Sequence, residues 1–217
     1  MLDIQLSPGD VPTANVPLMQ GLMALVARTA AMGLMASERI TSLDAKTIAR
    51  VVSALQEQKL ASKTPLDMAP LLRIDAADLD PATAKRMEAA VGELVDALGH
   101  SPAPSSEWAT MREVLGDDSL CRLVGVSDTS LRRYVSQGRS TPQAVAERLH
   151  WIAMVVADLS GAYNTFGIRR WFERPRPQLG GKSPREALGE NWDVDSPAAE
   201  QVRMLAAALS GAQPLAA

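Results

Sequence analysis

The 217-residue chain has one cysteine, Cys121, and two histidines, His100 and His150. A lone cysteine closes no internal disulfide and builds no cysteine-rich zinc site, which removes cystine scaffolds and zinc fingers from consideration. No cluster of histidines and carboxylates has ligand spacing, and no nucleophile has a base placed near it in the sequence, so no catalytic residue, metal or cofactor is expected. Alternating strand patterns bounded by hairpin dipeptides are missing throughout. The apolar run from Val16 to Ala36 is broken by Gln20, Arg28 and Thr29 and lacks basic flanks, which argues against a membrane span. Asp3 and Asp10 stand where a signal peptide would carry its basic region. With the cysteine count, this sets the expectation of a reducing, cytoplasmic compartment.

What the chain has is helical periodicity, and the expected fold class is all-α. Leu18, Leu22, Leu25, Thr29 and Met32 recur at spacings of three and four, as a buried or dimer-forming helix requires. Leu43, Ile48, Val51, Val52 and Leu55 mark a second face, with Thr41 and Asp44 as its start signal. A third helix is delimited by Asp80 as cap, Pro81 at its first position and Gly99 at its end. Its stripe is Met87, Val91, Leu94, Val95 and Leu98.

All eight aromatic residues lie beyond residue 107, and eight of the ten methionines lie in the first 111. Two differently built cores are therefore expected. Residues 1–98 would form a helical N-terminal domain of open role, dimerisation among the options. Residues 99–106, Gly-His-Ser-Pro-Ala-Pro-Ser-Ser, would form a linker.

A net charge of −3 hides an uneven distribution. Residues 1–120 carry 10 Lys/Arg against 16 Asp/Glu, residues 121–185 carry 11 against 4, and residues 186–217 carry 1 against 5. A basic block in an acidic chain is the electrostatic footprint of a polyanion or acidic partner.

Inside that block the punctuation is dense. Ser105 or Ser106 would cap a helix containing Trp108, Met111 and Leu115 and stopping at Gly116. Asp117 would cap the next, with Leu120, Cys121 and Val124. Gly125 and Val126 then make a turn, and Ser127 caps a helix ending near Gly138. This is a helix-turn-helix pattern, assigned to residues 107–160, whose second helix offers polar residues to a DNA major groove. With Leu131 and Val135 facing inward, the candidate DNA contacts are Ser127, Asp128, Thr129, Ser130, Arg132 and Arg133, with Arg139 as a phosphate contact. Thr141 and Pro142 would open a central core helix carrying His150 as a packed residue.

Residues 161–217 carry the most specific stretch, running from Arg169 to Leu188. Pro175 and Pro177 break a helix, Gly180 and Gly181 permit a tight turn, and Ser183-Pro184 with Glu186 forms a capping box. The Gly-Lys-Ser ending is no P-loop, because that motif needs glycine where Arg176 stands and a strand before it.

The ordered set Arg132-Arg133, Trp171, Pro175, Leu179-Gly180-Gly181, Lys182-Ser183-Pro184 and Leu188 resembles the C-terminal region of Xre-type antitoxins, the MbcA/ParS group. The resemblance covers about residues 108–211. It implies a homodimeric antitoxin that binds its own operator DNA and covers the active site of an NAD-degrading RES-domain toxin. The implied toxin contacts are Arg169, Arg170, Trp171, Arg174, Leu179, Gly180, Gly181, Lys182, Ser183 and Pro184. Residues 1–98 have no counterpart in the short antitoxins, and Asn191–Asp195 lengthen the link to a last helix that begins at Ser196-Pro197 and carries Val202, Leu205 and Leu209. The alternative is a stand-alone helix-turn-helix regulator without a toxin.

Overall fold

A computed structural model describes residues 4–7, 16–35, 40–42, 45–57 and 80–210. The class is all-α. Among the described residues the helices are α1 (Val16–Ala31), α2 (Ala45–Glu57), α3 (Pro81–Gly99), α4 (Pro104–Leu115), α5 (Asp117–Val124), α6 (Asp128–Val135), α7 (Gln143–Ser160), α8 (Thr165–Glu173), α9 (Pro184–Leu188) and α10 (Pro197–Ser210). One short parallel pairing, β1 (Ile4–Ser7) with β2 (Ile40–Ser42), accompanies them. Thr41 lies in β2 rather than at a helix start, while Leu43 and Asp44 lie outside the described residues. No described helix is long and apolar enough to cross a membrane.

Helix α7 is the axis of the molecule. From Leu149 to Val156 every residue is buried, a pattern a helix tolerates only when it is surrounded. Helices α1, α3, α4, α5, α8 and α10 supply that surround. The expected α1 stripe is buried as predicted, and Thr29 satisfies its hydroxyl within the helix by donating to the Leu25 carbonyl at 2.7 Å. α1 meets α3 on one side and α7 on the other.

Buried side chains from both expected parts meet. Leu18 through Leu98 and Trp108 through Ala206 belong to one continuous cluster of buried side chains. Composition changes along the chain, but α1 is apolar enough on two faces to join both parts. The linker is also shorter than residues 99–106. Gly99 is still in α3 and Pro104 already opens α4, so only 100–103 connect them. Ala103, rather than Ser105 or Ser106, is the α4 N-cap, and the Ser106 hydroxyl turns back to the Ala103 carbonyl at 3.1 Å.

Helix α3 follows its sequence signals closely. The Asp80 carboxylate accepts from Ala82 and Thr83 amides at 3.0 Å each, with Pro81 at the first position. Hydrogen bonding from Thr83 holds the Asp80 carboxyl below its ordinary value.

His150 is packed, as expected, and its partners are now identified. Its Nδ1 lies 2.6 Å from Oε1 of Glu107 on α4, and its Nε2 lies 3.1 Å from the Gly99 carbonyl at the end of α3. Glu107 is completely buried and its other oxygen has no hydrogen-bond partner. Two polar contacts of one side chain thus tie α3, α4 and α7 together.

Candidate nucleic-acid interface and basic loop

The outer surface formed by α5 and α6 begins at Gly116. Asp117 is the first residue of α5 rather than its cap, and its carboxylate receives both Nε and a terminal nitrogen of Arg112, at 2.7 and 2.9 Å. That pairing holds the Asp117 carboxyl below its ordinary value. α5 stops at Gly125, whose φ of 76° and ψ of 43° are left-handed, a conformation glycine adopts without a Cβ penalty. The Gly125 and Val126 amides both return to the Cys121 carbonyl, at 2.9 and 3.0 Å. Ser127 then caps α6 by accepting from the Ser130 amide at 3.3 Å. Two short helices joined by three residues result, and they pack against each other.

Leu131 is fully buried, but Val135 is only half-buried, and Tyr134 takes the second inward position. The reason is a partner from α4: Trp108 stacks on Tyr134 at 5.3 Å with 15° between the rings. Trp108 Nε1 donates to the Thr141 hydroxyl at 2.9 Å, so Thr141 serves this contact while Pro142 takes the cap position of α7. α6 ends at Val135, three residues before Gly138.

The predicted DNA contacts share this outer face. Ser127, Asp128, Thr129, Arg132, Arg133 and Arg139 are exposed, and Ser130 is half-buried. Their charges are less uniform than their sequence order suggests. Arg132 is engaged by Asp128 one turn earlier, at 2.8 Å. Arg139 lies over the Tyr134 ring at 5.9 Å. The N-terminal end of α6 is acidic and its C-terminal end is basic.

The basic loop after α8 is internally bonded. The Arg176 amide donates to the Lys182 carbonyl and the Gly181 amide to the Arg176 carbonyl, each at 3.0 Å. A single 3₁₀ turn, Pro177–Leu179, fills the loop, followed by Gly180 at φ 64° and Gly181 at φ 81°. The capping box forms as expected: the Ser183 hydroxyl accepts from the Glu186 amide, and the Ser183 amide donates to Glu186 Oε2 at 2.8 Å. This backbone donation holds the Glu186 carboxyl below its ordinary value.

The implied toxin contacts divide by burial. Trp171, Leu179, Ser183 and Pro184 are buried and build the corner instead of presenting a surface. Trp171 packs edge-on against Phe172 at 5.2 Å, and the Arg176 guanidinium lies 4.7 Å from its ring centre. Arg169 is occupied: Nε donates to the Val114 carbonyl at 2.6 Å and a terminal nitrogen to the Glu113 carbonyl at 2.9 Å, satisfying the end of α4. Arg170, Arg174, Gly180, Gly181 and Lys182 remain at the surface.

Two features were missed by sequence reasoning. The longer link at Asn191–Asp195 is anchored, because Trp192 donates Nε1 to the Leu123 carbonyl at 2.7 Å and meets Trp151 edge-on at 4.7 Å. In α10, Val202, Ala199 and Ala206 are buried while Leu209 is exposed, so Leu209 does not extend the inward face as expected. Among the described residues no group of three or more potential metal ligands occurs. Comparison with protein-family models, with curated proteins and with solved structures finds no match to this chain.

Proposed function

We propose that the chain is an antitoxin that binds operator DNA through α5 and α6 and inhibits a RES-domain NAD-degrading toxin sterically through α8 and the loop that follows. The observation that carries the reading is the exposed, arginine-bearing outer face of α6, on the second helix of a pair joined by a three-residue turn. Arg133 and Arg139 supply phosphate or base contacts, and Arg132 joins them when Asp128 releases it. The resemblance to Xre-type antitoxins supplies the second half of the proposal. In support, Arg174 and Lys182 stand exposed on an internally braced loop, suited to a site that receives an anionic dinucleotide.

The test is growth and NAD content of cells expressing the adjacent reading frame, alone and with this chain. Arrest with NAD loss, relieved by the full chain and relieved less by the Arg174→Glu/Lys182→Glu variant, is the expected result. A harmless neighbour, or failure to rescue, refutes it. The alternative of a regulator without a toxin draws on the buried corner residues and on Arg169, whose contacts are accounted for inside the chain. It expects operator binding with no rescue.

A further inference from the structure

The outer face of α8 carries an aromatic and arginine patch that the loop residues do not account for. Ile168, Trp171 and Phe172 form the buried face of this helix, and Phe166 and Arg170 fall on the opposite side, one turn apart. Phe166 is 67% exposed, the highest value among the large apolar side chains described. The Arg170 guanidinium lies over its ring at 5.7 Å. Tyr163, 37% exposed, adds a second ring at the same end of the helix. It is held close: a Cβ on Gly167 would stand 2.9 Å from Tyr163 Cδ1. The Gly167 amide is in turn capped by Asn164 Oδ1 at 2.9 Å. The two rings thus have neighbours within the chain, Arg170 beside Phe166 and Gly167 beside Tyr163.

We infer that Phe166, with Tyr163 and Arg170, is the anchor of a protein interface whose partner offers an apolar socket rimmed by carboxylates. The inference rests on the antitoxin reading and names the contact that would hold the toxin. Charge selects this occupant. Among the described residues, Arg170, Arg174 and Lys182 make no ion pair, whereas the carboxylate of Glu173 is taken by Arg185 at 2.9 Å. A second copy meeting the patch across a two-fold axis would set arginine against arginine. Duplex DNA takes a phenylalanine only as a wedge between unstacked base pairs, and the helix proposed to read DNA is α6. Aromatic and arginine side chains are the residue types that dominate interface energies when a partner desolvates them.

The test uses the purified full-length chain and the purified product of the adjacent reading frame as probe, titrated at two salt concentrations. Phe166→Ala should weaken binding by about 30-fold and Arg170→Glu by at least about 10-fold, the scale of a central interface residue. Phe166→Leu should lose less than Phe166→Ala, and Lys85→Glu, an exposed site on α3, should change nothing. Arg170→Glu reports on the same patch should Phe166→Ala disturb the fold, which thermal melting checks. Tight binding by the wild type with Phe166→Ala within about threefold overturns the inference and leaves the antitoxin reading standing. No binding by the wild type removes both. Loss of a dimer in sedimentation, or of duplex DNA affinity, on Phe166→Ala assigns the patch to self-association or to DNA and also overturns it.

Discussion

Removing the imidazole of His150 should damage this protein more than removing the carboxylate it contacts. Two acceptors face the two ring nitrogens, Glu107 Oε1 at 2.6 Å and the Gly99 carbonyl at 3.1 Å. In Glu107→Leu the imidazole keeps its bond to Gly99 and leaves one nitrogen unsatisfied, a cost of about 1 to 3 kcal/mol. In His150→Leu, Glu107 is left fully buried with no partner for either oxygen, and breaking a buried pair in this way costs about 3 to 5 kcal/mol. At this chain length each kcal/mol corresponds to roughly 2 to 4 °C, so His150→Leu should lower Tm by about 6 to 20 °C. The double variant removes both members of the buried pair, leaves only the part-buried Gly99 carbonyl without its imidazole partner, and should recover to within about 1 to 3 kcal/mol of the wild type. Urea denaturation of the four proteins measures the cycle. Equal costs for the two single variants, or a double variant equal to their sum, would refute the reasoning.

Three further outcomes are expected. Arg132→Ala/Arg133→Ala should abolish operator shifts, while Asp128→Asn, which frees Arg132 and removes an opposing charge, should tighten binding to arbitrary duplex DNA and steepen its salt dependence by about one unit of slope; weaker binding would mean that Asp128 orients Arg132 instead. Gly125→Ala should cost about 1 kcal/mol or more in chemical denaturation, because φ is 76° and the new Cβ would stand 3.0 Å from a terminal nitrogen of Arg148. The carboxyls of Asp80, Asp117 and Glu186 are held low by Thr83, Arg112 and the Ser183 amide. Their stabilisation is complete above the unfolded value of about 4 and is lost as pH falls through the folded values. Melting temperature should thus drop on acidification, and less steeply in Glu186→Gln.

The opposite sign applies to Asp158, whose carboxyl burial pushes up despite Arg28 and Arg203 nearby. Its raised folded value makes stability fall as pH rises through the window above the unfolded value. The two trends meet in one melting profile, with the depressed carboxyls acting at the acid side.

Local signals were legible because their partners lie within four residues. Asp80 before Pro81, Gly125 after Val124, and Ser183 three residues before Glu186 each close a hydrogen bond to a near neighbour. The all-α class and the inward faces of α1 and α3 follow from spacing alone, since burial of one face is what the period of a helix encodes. The exposure of most residues named as DNA contacts was legible in outline for the same reason.

Contacts across the chain were not legible. Tyr134 turns inward because Trp108 stacks on it from another helix, and Trp192 anchors its link on a carbonyl 69 residues earlier. Arg169 and Arg174 carry the same charge and both are exposed, yet only Arg169 is bonded to the end of α4. The sequence alone determined that the chain is helical, where α3 starts and ends, where α5 stops and how α9 is capped, because those choices are settled by short-range hydrogen bonds and periodicity. Only tertiary structure decided that buried side chains of both parts join in one cluster, and which arginines are bonded within the chain, because both depend on which surfaces α7 and α4 bring together.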